Sequence, residues 1–184
     1  MSSDTNGPRL GDAAIFSGQW GNYRYYGLLQ IALPALPSDA VIVGSQLMLY
    51  TYTSDNVNGG EWTVQTFAPE VDDQFFGLSY LVAEQAPLLG PAAPPLPANE
   101  LSSAAQATQF TFGPGGVAHL QARLTSTQKV SYRIDGPTNG FSLQRWDSGY
   151  GLGGLGPPFK PVLRITYTTA QSYSPGDIDF PLLP

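Results

Sequence analysis

The sequence predicts an all-β domain, an antiparallel β-sandwich of jelly-roll-like form with one short α-helix and extended terminal arms. Three observations predict it. The 184 residues include 21 Gly and 17 Pro, a density of helix-breakers that a helical bundle does not tolerate. Apolar residues recur with period two in short segments bounded by turn residues. Hydrophobic residues make up 42% of the chain and charged residues 12%, enough apolar surface to exclude a disordered tail and to fill one core.

The elements follow in chain order. Residues 1–11 carry Ser, Asp, Asn, Gly and Pro without periodicity and read as an N-terminal arm. The domain proper is expected over residues 12–169. Strands are expected at 13–16 and at 23–33, the second rich in Tyr, Leu and Ile and ended by Pro34 and Pro37. Residues 41–53 give the clearest strand. Val41, Val43, Ser45, Leu47, Leu49 and Thr51 alternate there with Ile42, Gln46, Met48, Tyr50 and Tyr52. Both sides carry apolar groups, as expected near the middle of a sandwich. After a turn at 54–60, Trp62, Val64 and Thr66 alternate with Thr63, Gln65 and Phe67.

A short strand is expected within 75–83. Residues 88–98 hold Pro91, Pro94, Pro95 and Pro97 and read as a long surface loop with polyproline-like stretches. Another strand is expected at 109–112. The helix is expected at 117–124, with Val117, Leu120 and Leu124 on one face. Strands follow at 129–134, 140–145 and 162–168, the last two separated by a Gly/Pro loop at 149–158. In the C-terminal arm, 170–184, Ile178, Phe180 and Leu182 alternate with Asp177, Asp179 and Pro181. A lone strand cannot bury such a side. It either packs on its own domain or adds to a neighbour, and addition to another subunit is the expectation.

Net charge is −6 with eight Lys plus Arg. That leaves no cationic stripe for nucleic acid or for an anionic membrane. No apolar run reaches 18 residues. The absence of cysteine removes disulfides and thiolate metal sites. The opening MSSDTNGPRLGD has neither a basic n-region nor an apolar h-region, so it does not read as a secretory signal.

Residues 28–50 resemble the opening of the DNRLRE-type domains, β-sandwich modules related to carbohydrate-binding folds. Leu28–Leu33, Leu36–Pro37, Ala40–Ile42 and Leu47–Tyr50 take the places of that family's Leu-rich strand, Leu-Pro turn, small-residue–Ile step and Leu-x-Leu-Tyr strand end. Further on, 110–124 looks like its strand and short helix, Asn139–Gln144 like its Asn-x-Gly-Phe-x-Leu strand, and Pro161–Tyr167 like its closing strand. The resemblance spans about residues 11–168. It implies the sandwich fold, and no single activity. Ala32 stands where the family usually carries an acidic residue, and the Pro-rich segment replaces its acidic, Trp-containing middle.

No catalytic residue is expected. His119 is the single histidine, with no cysteine and no Gly-x-Ser-x-Gly motif, so a surface or capping role is the simpler reading. Glu70, Asp72 and Asp73 have the oxygen chemistry for Ca²⁺ but lack an Asp-x-Asp-x-Asp-Gly loop, and read as a solvated turn. Asp12, Asp135 and Asp147 are isolated. No metal and no cofactor are expected.

The aromatics carry more information. Trp20, Tyr23, Tyr25 and Tyr26 crowd together, and Trp146 and Tyr150 flank Asp147 beside Arg145. Trp20, Tyr23, Trp146 and Tyr150 are candidates for stacking on a glycan or for contacting a partner protein; the same rings also suit a core or subunit interface. Ile178, Phe180, Leu182 and Leu183 are candidates for an assembly arm.

Two functions are expected from this reading. The first is a structural assembly protein that self-associates as a homo-oligomer and binds a larger shell. A virion capsid decorated by a cement protein is the leading case. The second is a glycan-binding module of an extracellular or cell-surface protein.

Overall fold

The computed structural model describes residues 12–181 apart from 56, 58, 139, 151–152 and 171, and for Asp55 and 172–181 it describes the backbone alone. The expected N-terminal arm, Leu182 and Leu183 lie outside the described residues.

Twelve strands are described: β1 (Ala14–Trp20), β2 (Tyr23–Tyr25), β3 (Gly27–Ala32), β4 (Val41–Asp55), β5 (Glu61–Phe67), β6 (Leu88–Pro91), β7 (Leu96–Pro97), β8 (Ala107–Thr111), β9 (Lys129–Asp135), β10 (Phe141–Asp147), β11 (Val162–Thr169) and β12 (Ser172–Pro181). The helices are α1 (Tyr80–Gln85) and α2 (Pro114–Leu124). One antiparallel sheet has the order β12-β11-β4-β10-β1-β2, with β8 also on β4; the other runs β3-β9-β5-β6, with β7 also on β5. The all-β sandwich expected from the period-two segments is the architecture found. The long strand β4 serves two neighbours in turn, β11 along Val41–Met48 and β10 along Thr51–Asp55.

The core lies between the sheets. Leu47, Leu49, Phe110, Trp146, Leu163 and Ile165 from the first meet Leu29, Ile31, Trp62, Val64, Val130, Tyr132 and Ile134 from the second, and Leu120 of α2 closes one end. The expected helix is present and starts three residues earlier, because Gly113 forms its N-cap and Pro114 its first residue, where a missing N–H costs nothing.

Three sequence expectations are corrected. Residues 75–83 hold no strand. They form a 3-10 turn (Phe75–Gly77) followed by α1, whose first turn is capped by the Ser79 hydroxyl accepting from the Val82 N–H at 3.3 Å. Phe67, Val71, Phe75 and Leu78 make a second small core there. The Pro-rich segment 88–98 is not a free loop. Pro91 pairs opposite Gln65 and Pro97 opposite Glu61, on strands that flank the edge of the second sheet, where proline is tolerated. The tail, expected to add to another subunit, pairs through β12 with β11 of its own chain, which sets Ile178 opposite Ile165 and Phe180 opposite Leu163.

The acidic turn also differs from expectation. Asp72 is buried rather than solvated and forms an ion pair with Arg123 of α2, with side chains 1% and 5% exposed. Burial raises its carboxyl above the ordinary range, although Ser131 and Arg123 pull the other way. Gln30 donates to the Asp72 carbonyl at 2.7 Å and to the Ser131 hydroxyl at 3.1 Å. The pair thus pins the 69–77 turn onto the second sheet and α2 together.

Candidate functional site: an aromatic sheet face

Strand parity builds the site. On β1, Ser17 faces the core and is fully buried, so Ala14, Phe16, Gly18 and Trp20 share the opposite, outer face. The β2 register sets Tyr23 opposite Trp20 and Tyr25 opposite Gly18. The β10 register sets Phe141 opposite Trp20 and Arg145 opposite Phe16. Residues directly opposite share a face. Five aromatic rings and one guanidinium therefore line one side of three adjacent strands.

The rings touch. Trp20 and Phe141 meet edge-to-face with centroids 5.2 Å apart, and Phe16 and Tyr25 lie 5.7 Å apart. The Arg145 guanidinium sits 5.4 Å from the centre of the Phe16 ring, a cation–π contact. Trp20, Tyr23 and Phe141 are 37%, 48% and 53% exposed. Gly18 holds the two strands close. Its φ is +118°, and a Cβ there would run into the Ser142 carbonyl oxygen, so only glycine fits.

The four candidate contact residues do not come together. Trp20 and Tyr23 share this face. Trp146 does not, which removes it from the candidate contacts and gives it the core place that its ring also suits. The strand runs through Asp147, two residues beyond the expected end, and alternation then turns Trp146 inward. It is fully buried, opposite Ile15, and its Nε1–H donates to the Ser17 hydroxyl at 3.0 Å. Tyr150 is half-buried at the far end of β10 from Phe141, in a turn where its N–H donates to the Ser148 hydroxyl at 3.1 Å. Asp147 organises that turn by accepting from the Gly149 and Leu155 N–H groups.

The sequence does not single out Phe16 and Phe141 as contacts, and it sets Arg145 beside Trp146 and Tyr150 rather than with Trp20 and Tyr23. The available signal was the parity of Phe141, Leu143 and Arg145 against Ser142, Gln144 and Trp146, legible once the strand end was known. The side chains of Ile178 and Phe180 are not among those described.

His119 lies half-buried on α2, and its Nε2 makes no hydrogen bond. Burial, with Arg123 one turn on, holds its pKa down to about 4. Among the described residues no group of three His, Asp or Glu is placed to hold a metal ion, and no helix is long and apolar enough to cross a membrane. No family model, no curated protein and no solved structure matches the chain.

Proposed function

We propose that this chain is a non-enzymatic structural assembly protein that self-associates and decorates a larger shell, with a virion capsid as the leading candidate shell. The observation that carries the reading is the exposed face of Trp20, Tyr23 and Phe141 with Phe16, Tyr25 and Arg145. Aromatics and arginine are the residue types enriched at protein interfaces and their energetic centres. A row of large apolar rings left in water is an unusual feature unless something covers it. The DNRLRE-type relationship remains part of this proposal. In its favour, most of the residues carrying the resemblance at 28–33, 47–50, 139–144 and 161–167 fall on strands.

The second reading is a glycan-binding module at a cell surface or outside the cell. Trp20 and Tyr23 favour it, because an exposed indole or phenol ring can stack on a sugar face. Against it, the outer face carries few groups to read hydroxyls, and the Trp20 and Phe141 rings stand at 85° to each other rather than forming a flat platform.

Co-sedimentation of the chain with its candidate shell tests the first reading. Trp20→Ala or Phe141→Ser should reduce shell binding at least tenfold while leaving the thermal midpoint near that of the parent. Shell binding indifferent to both substitutions overturns it. Binding on a glycan array abolished by Trp20→Ala, with no shell binding, selects the second reading.

A further inference from the structure

We infer that the aromatic face receives the apolar C-terminal segment Leu182–Leu183–Pro184 of a second copy of this chain, docking head to tail. This rests on the assembly reading above and names its self-association contact.

The argument begins with reach. Pro181 pairs opposite Val162, and Val162 pairs opposite Met48. Leu143, which shares its level with Gly18 of the aromatic face, pairs opposite Asp55. Pro181 therefore ends about seven residues short of Gly18 along the strand direction, roughly 23 Å, and farther still from Trp20 and Phe141. Three residues span at most about 11 Å. Whatever follows them, residues 182–184 cannot cover Trp20, Tyr23 and Phe141 of their own chain. The same segment leaving a second copy has no such restriction.

The chemistry of the two surfaces matches. The segment is two leucines and a proline preceded by another proline, and aromatic-lined surfaces take proline-flanked apolar segments with little ordering cost. The face is apolar rings bordered by Arg145. The contact joins two different surfaces. It is therefore heterologous, and repetition gives a ring or an open row rather than a closed pair. Each contact is small, and many copies acting together give it strength.

The test uses complementary variants of the full chain. Three tryptophans are present, and Trp62 and Trp146 are fully buried. Acrylamide quenching of fluorescence therefore reports mainly on Trp20. In the parent chain, quenching should fall as protein concentration rises, together with a rising sedimentation coefficient. A chain lacking 182–184 keeps the face and loses the segment; Tyr23→Ser combined with Phe141→Ser keeps the segment and loses the face. Each alone should stay monomeric, and mixing them should give a complex that stops at one copy of each. The truncated chain retains β12 and so separates loss of docking from loss of folding. Association of the truncated chain equal to the parent, or no complex on mixing, overturns the inference. Shell binding by a truncated chain, with parent and variants alike monomeric in solution, overturns it while leaving the assembly reading intact.

Discussion

At the scale of single residues, His119 gives the clearest expectation for pH. Its folded pKa is lowered to about 4 by burial and by Arg123. Above its ordinary value near 6.5, both the folded and the unfolded chain hold it neutral. As pH falls from 6.5 to 4 the unfolded chain takes up the proton and the folded chain does not, so stability is lost across that window. Asp72 works with the opposite sign. Its raised carboxyl binds a proton first in the folded state, and its contribution grows as pH falls toward 3.8. Whole-protein melting mixes the two. The difference between the parent and His119→Gln isolates the imidazole: the parent should lose ground steadily in urea midpoint between pH 6.5 and 4. A difference that stays constant with pH would show that the imidazole titrates normally. The two tryptophans show how much a residue's role depends on one strand boundary. Trp20 and Trp146 are alike in sequence context, both near Gly, Ser and Asp or Gln. Ending the strand at 145 leaves Trp146 in a loop; continuing it to Asp147 buries the ring against Phe110, with centroids 6.1 Å apart. Composition does not carry that information, because it resides in the pairing of Asp147 with Ala14.

At the scale of elements, the Asp72–Arg123 pair binds a turn, a sheet and α2 into one unit. Arg123→Met leaves a buried carboxylate unpaired and should cost about 3–5 kcal/mol in urea unfolding. Adding Asp72→Asn to that variant should recover a good part of the loss. If the double variant is no better than the single, the pair is not what holds the elements together. This clasp was not legible beforehand. The alternating patterns of β4, β5, β9 and β11 report burial between two sheets, and those strands were found within a few residues of their observed ends. Residues 69–86 instead cover the outer face of the second sheet, where Phe67, Val71, Phe75 and Leu78 keep a helix-like spacing although the chain there leaves β5 and passes through two short 3-10 turns. Asp72 and Arg123 are 51 residues apart, and no local rule links them. The prolines of 88–98 misled for a related reason. Proline excludes a central strand, but β6 and β7 occupy edge positions, where that exclusion does not hold.

At the scale of the whole molecule, β12 decides how the seven-stranded sheet ends. Leu163 and Ile165 of β11 are fully buried, and Phe180 and Ile178 stand opposite them in register. Residues 172–181 thus belong to the sandwich, while 182–184 lie past its last described pairing. Two deletions should therefore behave differently. Removing 170–184 strips β11 of its outer neighbour and exposes an unpaired edge, which invites edge-to-edge aggregation. Its thermal midpoint should fall by several degrees, at about 2–4 °C per kcal/mol lost for a domain of this size, and its light scattering should rise. Removing 182–184 alone should leave the midpoint unchanged within error and abolish concentration-dependent association. Scanning calorimetry and sedimentation velocity on the two truncations separate these effects. Equal melting of the parent and the longer deletion would mean that β12 adds nothing to its own sandwich. The ten-residue strand would then be available for exchange with a neighbouring copy, and the contact between copies would run through Ile178 and Phe180 rather than through the segment beyond them.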